Sequence, residues 1–149
     1  MSGTSAPLRS SLPRTVARVA LGLLLLVAGI GHLTFGREEF TAQVPDWLPA
    51  ADDLVVVGSG VVEVALAASL IALPRQRVAV GWIVAAFFVA IFPGNISQYV
   101  NQVDAFGLTS DGARAGRLFF QPLLVVWALW STGAWRDRGT LRSVVGGWR

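Results

Sequence analysis

Four apolar runs, each long enough to cross a bilayer, constrain this chain more than any other feature. They are Val16 to Phe35, Leu54 to Leu73, Val78 to Val100 and Leu118 to Trp135, each 18 to 23 residues long. A hydrocarbon core of about 30 Å takes roughly 20 helical residues. Helix is the required conformation, because lipid offers no partner to an unpaired backbone amide. Helices of a soluble bundle would show one apolar stripe and one charged face. These runs are apolar on every side: Ala20 to Thr34 and Val78 to Val100 hold no Asp, Glu, Lys or Arg. Only 14% of all residues are charged, against about 25% in an ordinary soluble domain. The expected fold is all-α: one domain over residues 1–149, an integral membrane four-helix up-down bundle.

A secretory signal peptide is the rival reading of the first run, with Arg9, Arg14 and Arg18 as its charged flank. Such a peptide ends on a small-residue cleavage site. Here the chain continues Gly31-His32-Leu33-Thr34-Phe35 instead, and the apolar stretch is too long for a signal. A retained helix is expected.

Charge sets the expected orientation. All 12 basic residues are arginine. Nine of them (Arg9, Arg14, Arg18, Arg75, Arg77, Arg136, Arg138, Arg142 and Arg149) flank one set of helix ends, and three (Arg37, Arg114 and Arg117) flank the other. Basic residues concentrate on the cytoplasmic side of membrane proteins, so both termini are expected in the cytoplasm. The opposite connections carry Glu38, Glu39, Asp46, Asp52, Asp53, Asp104 and Asp111. The net charge of +3 therefore conceals a basic inner face and an acidic outer one. No basic patch sits on a foldable soluble domain, which excludes nucleic acid as a partner; the inner arginines suit anionic lipid headgroups. Trp47, Trp82 and Trp135 fall where interfacial aromatic belts form. Pro45 and Pro49 around Trp47 predict a short turn on the outer surface, and Gly107 to Gly116 reads as a polar outer loop.

Polar side chains inside lipid are costly and mark candidate sites. Each run contributes at least one. His32 lies in the first and Glu63 in the second. Asn95 follows Pro93 in the third, with Gln98 and Tyr99 beyond, while Arg117 and Gln121 open the fourth before Pro122. At 1.5 Å per residue, His32 and Asn95 reach similar heights in the outer half, and Glu63 lies about 14 Å below the outer end of its helix. Each also falls on a stripe spaced by three and four residues: Gly22, Leu25, Gly29, His32, Gly36 in the first helix; Ser59, Glu63, Ala67, Leu70 in the second; Gly81, Ala85, Phe88, Phe92, Asn95, Tyr99 in the third; and Arg117, Gln121, Leu124, Ala128, Ser131 in the fourth. Residues so spaced share a helix face, which brings the polar groups together.

For Asn95 and Gln121, a hydrogen-bonded cluster pinning the helices weighs as heavily as a ligand role. A buried carboxylate is harder to explain as glue, and an ion pair with Arg117 or His32 would offset its cost. His32 and Glu63 are therefore the candidate catalytic pair. Asn95, Arg117, Gln121 and Tyr99 are candidate ligand-binding or polar-core residues. The absence of cysteine excludes thiol–disulfide exchange by this chain. One histidine excludes bis-histidine haem ligation within the chain, and His32 with Glu63 falls short of a zinc ligand set.

Four short motifs in order carry a family resemblance: Gly29-Ile30-Gly31-His32, Gly60-Val61-Val62-Glu63, Phe92-Pro93-Gly94-Asn95 and Gln121-Pro122. Together they resemble the DoxX-like family of four-helix bacterial membrane proteins, over about Arg18 to Trp135. The resemblance implies an inner-membrane location. It further implies a subunit role in a quinone-linked oxidoreductase or an oxidative-stress complex, with quinone as cofactor and a partner protein or second copy as partner. Two other functions stay open at this point: a non-catalytic membrane anchor or assembly partner, and a small-solute or proton carrier. The inverted repeats expected of a carrier are not evident.

Overall fold

Helix boundaries follow local stop signals. The computed structural model describes residues 10–139, so Arg9, Arg142 and Arg149 lie outside the described residues. Helix α1 (Leu12–Leu33) opens with proline in its first turn, where the missing N–H costs nothing. A five-residue helix α2 (Arg37–Thr41) and a turn through Trp47 lead to α3 (Asp52–Ala72). Asp52 and Asp53 sit in the first turn of α3, where the helix dipole favours negative charge. One 3-10 turn, Pro74–Gln76, joins α3 to α4 (Arg77–Val100). The Ser110 side chain accepts a hydrogen bond from the Ala113 amide and so caps α5 (Asp111–Thr132). Gly133, at φ 70°, ends it in the left-handed conformation that glycine adopts without strain.

Among the described residues the chain is all-helical, with five α-helices and no strand. Helices α1, α3 and α4 are long and apolar enough to cross a membrane. Their positions agree with the first three apolar runs to within a few residues. The fourth run is the exception. Helix α5 begins seven residues earlier, at Asp111, and ends at Thr132, so Asp111 to Gly116 are helical rather than loop. The Ser110 cap overrides the glycines that signal a loop, and Asp111, Arg114 and Arg117 make the start of α5 polar.

Packing pairs α1 with α3 and α4 with α5, and α1·α5 and α3·α4 contacts join the two pairs. Small residues set the close approaches. A Cβ on Gly29 would meet the Gly60 carbonyl oxygen at 2.9 Å, and one on Gly81 would meet Thr132 Oγ1. Between the helices lies a core that includes Leu21, Leu25, Leu70, Val84, Phe88 and Ala128. The outside is apolar too: Val27, Val61, Ile83, Val89, Phe119 and Leu123 are all exposed. So large an exposed apolar surface marks contact with lipid or another protein.

The two ends differ in chemistry. At one, buried Arg18 donates to the Leu70 carbonyl and buried Arg77 to the Thr132 carbonyl. Each arginine thus satisfies a carbonyl left over in the last turn of a neighbouring helix, where positive charge is favoured. Arg77 also pairs with buried Asp137 at 3.0 Å. At the other end, Arg37 pairs with Asp53, and Arg114 pairs with Asp104 and Asp111. The two connections at this end are tied together, since the Phe106 amide donates to the Glu39 carboxylate.

Candidate functional site

The crossing of α1 and α3 creates the site. Gly29 and Gly60 let the two backbones touch, and a Cβ on Gly60 would stand 2.8 Å from His32 Cβ. This contact brings His32 onto Glu63, one turn further along α3. His32 Nδ1 lies 2.8 Å from Glu63 Oε2, with side-chain exposures of 12% and 5%. The same nitrogen lies 3.0 Å from the Ala28 carbonyl, one turn back in α1. Both neighbours of Nδ1 are oxygens, and a carbonyl cannot donate, so Nδ1 carries a proton. That N–H is directed at Ala28. Buried Oε2 keeps the electrostatic contact with the ring but accepts no directed hydrogen bond.

A second polar pair joins α4 to α5. The Asn95 amide donates to Gln121 Oε1 at 3.0 Å, and Gln121 Nε2 donates to the Phe88 carbonyl at 2.7 Å. Pro93 interrupts the α4 hydrogen-bond ladder nearby, as its missing N–H requires. Both side chains are buried. Of the two partners expected for Glu63, His32 meets it, and Arg117 does not among the described residues. Arg117 Nη2 donates instead to Gln43 Oε1 at 3.0 Å, and its guanidinium lies over the Phe106 ring at 5.2 Å. Among the described residues Arg117 has no carboxylate partner, whereas Arg37 and Arg114 do.

These groups surround one cavity of about 640 Å³. His32, Glu63, Asn95, Arg117 and Gln121 all line it, as do apolar residues of all four long helices, among them Leu25, Val56, Phe87 and Phe120. Tyr99 does not. It is exposed on the outside of α4, and its neighbour Gln98 takes the buried position, bonded to Gln43 at 3.1 Å and to the Val103 carbonyl. The α4 stripe therefore turns away from the site in its last turn. The helix ends there, and Gln98 is the residue that meets the chain returning through Val103.

Sequence reasoning missed the roof. Phe40 of α2 stacks on the His32 ring, with centroids 3.3 Å apart and planes 18° apart. Phe106 meets Phe40 edge-on at 4.6 Å. Gln43, Val44, Trp47 and Leu48 close the same side of the cavity. A signal did exist: Phe40, Val44, Trp47 and Leu48 are large apolar side chains in an otherwise polar connection, and such side chains gain by leaving water. Among the described residues, no three of His, Cys, Asp and Glu come together in a way that could hold a metal ion.

Residues 21–132 of the chain match the family model described as "Domain of unknown function (DUF8561)". The match spans most of the chain, which therefore belongs to this family. No curated protein and no solved structure matches.

Proposed function

We propose that the chain is a quinone-linked membrane subunit of a redox complex: a four-helix bundle with both termini in the cytoplasm of a bacterial cell and its cavity in the outer half of the inner membrane. The observation that carries this reading is the buried His32–Glu63 contact at the polar end of an otherwise aromatic, apolar cavity. Ligand sites are mostly apolar concavities with a few convergent polar groups, in the size range found here. Intramembrane ionisable groups commonly mark proton or substrate paths.

The spanning of α5 rests on its apolar length after Arg117 and on its packing against α4 and α1. The orientation rests on the arginine-rich end, applied through the positive-inside rule. The quinone assignment rests on the cavity and on the four motifs that resemble DoxX-like proteins; the family match itself carries no activity. Phe40, Phe87 and Phe120 offer a ring and a tail apolar surface, and His32 and Glu63 offer a polar head its partners. Bound quinone would supply redox chemistry that a chain without cysteine lacks. The chain's own part is to hold a proton beside that head, on Nδ1, 2.8 Å from Oε2.

Gentle purification from membranes, followed by mass spectrometry of bound small molecules and partner proteins, tests the assignment. A co-purifying quinone is expected. His32→Ala and Glu63→Gln should lower quinone-linked electron transfer in membranes while the protein still assembles. Unchanged transfer in both variants would overturn the reading.

A further inference from the structure

We infer that the cavity opens sideways, between α3 and α4, and that its ligand enters there from the bilayer and leaves an apolar tail lying in the opening. This rests on the quinone reading and narrows it to a tailed, membrane-dissolved quinone.

The other sides are tied together. Gly22, Gly29 and Gly60 bring α1 and α3 so close that a Cβ on any of them would stand within 2.9 Å of the neighbouring helix. Asn95 and Gln121 join α4 to α5, and Trp127 Nε1 joins α5 to α1 by donating to the Ala17 carbonyl at 2.8 Å. The roof is braced across: Gln43 bonds both Gln98 and Arg117, and the Phe106 amide donates to Glu39. Of the neighbouring long helices, α3 and α4 touch each other least.

Their seam changes along its length. At the basic end one 3-10 turn joins the two helices, and Leu66, Leu70, Val80 and Val84 are buried in the core. Beside the cavity the lining residues open out. Val55 and Ser59 of α3 are half-buried, Ala90 and Pro93 of α4 are exposed, and Trp47 in the roof is 67% exposed. A residue that lines a cavity and is also exposed stands at its mouth. Leu24 and Phe120 meet that description on the α1–α5 side, but they are large and fill their seam, whereas Ser59, Ala90 and Pro93 are small. Pro93 also interrupts the α4 hydrogen-bond ladder at this rim, which eases bending there. A quinone head held near His32 and Glu63 then leaves water and lipid behind, while its tail passes the apolar rim and stays in hydrocarbon.

The test uses the full chain in phosphatidylcholine nanodiscs. A benzoquinone whose alkyl tail carries a diazirine is added and irradiated, and the labelled residues are read by peptide mass spectrometry. Label that excess decylbenzoquinone competes away should fall on residues 55–59 and 86–93. Ala90→Trp fills the mouth and should lower that label about fivefold or more. Val89→Trp, at an exposed neighbour that does not line the cavity, should lower it less than about twofold.

The wild-type map decides the matter even if a variant fails to fold. Competable label on Leu24 and Phe120, or on the roof, in place of α3 and α4 overturns the inference and leaves a quinone site standing. A loss in Ala90→Trp no greater than that in Val89→Trp does the same. The absence of competable label anywhere overturns both the inference and the quinone reading on which it rests.

Discussion

Replacing Gly60 by alanine should push His32 off Glu63, and the size of the effect follows from the crossing. The new Cβ would lie 2.8 Å from His32 Cβ, 3.0 Å from the Gly29 carbonyl oxygen and 3.0 Å from Leu33 Cγ. Comfortable carbon–carbon contact begins near about 3.5 Å, so α1 must retreat by about 0.7 Å. One of the three obstacles is backbone, so a side-chain rotation cannot relieve the crowding. Overpacking of this kind costs about 1–3 kcal/mol, while exchanging glycine for alanine inside a helix returns about 0.5–1 kcal/mol. Gly58, on the same helix, is the natural control: a Cβ there meets nothing within 4 Å. Both variants share the helix-propensity term, so their difference isolates the packing cost. Unfolding in mixed micelles, followed by tryptophan fluorescence, should place Gly60→Ala below Gly58→Ala by about 1–3 kcal/mol. The retreat should also stretch the Nδ1–Oε2 contact from 2.8 Å to about 3.5 Å and weaken quinone binding. A stability difference under about 0.5 kcal/mol, within ordinary surface-mutation scatter, would refute the claim that this crossing positions the pair.

Four further outcomes are expected. Asp137→Ala removes one buried partner of Arg77 and should destabilise the protein by about 1–3 kcal/mol in the same unfolding assay. The Arg136 guanidinium beside Asp137, with Arg77 behind it, holds that carboxyl below the usual carboxylate range; a depressed folded-state value means the contribution is present at neutral pH and lost as pH falls through it, so a pH titration of stability should show a loss below about pH 4 that Asp137→Ala lacks. Gln121→Leu strips Asn95 of its acceptor and should cost about 1–2 kcal/mol, read by thermal unfolding. Phe40→Ala removes the ring stacked on His32 and should weaken quinone binding about threefold to tenfold, whereas Tyr99→Phe, on the outside of α4, should leave binding unchanged in the same titration.

The charge split has a structural consequence as well. At the basic end, Arg18 and Arg77 are used inside the protein, on the carbonyls of Leu70 and Thr132. At the acidic end, carboxylates pair with Arg37 and Arg114 but, among the described residues, not with Arg117. A count of arginines therefore overstates the charge exposed at the basic end, because Arg18 and Arg77 are buried. Arg14, half-buried, lies over the Trp130 ring at 5.7 Å.

Length and uniform apolarity were enough, from the sequence alone, to place α1, α3 and α4, because a run of about 20 residues without charge has few other folds open to it. Helical spacing was enough to put His32, Glu63, Asn95 and Gln121 on inward stripes, since 3.6 residues per turn fixes which side chains share a face. Periodicity says nothing of how two faces meet. That Glu63 meets His32 rather than Arg117 depends on the Gly29–Gly60 crossing, a contact between residues far apart in the chain. The start of α5 escaped a reading by hydropathy because a serine cap and a polar first turn make a helix without being apolar. Tyr99 and Gln98 are one residue apart, and only the path of the chain after Val100 decided which of them turned inward. The aromatic roof came from a connection whose stacking on His32 exists only once α1 and α2 are brought together in space.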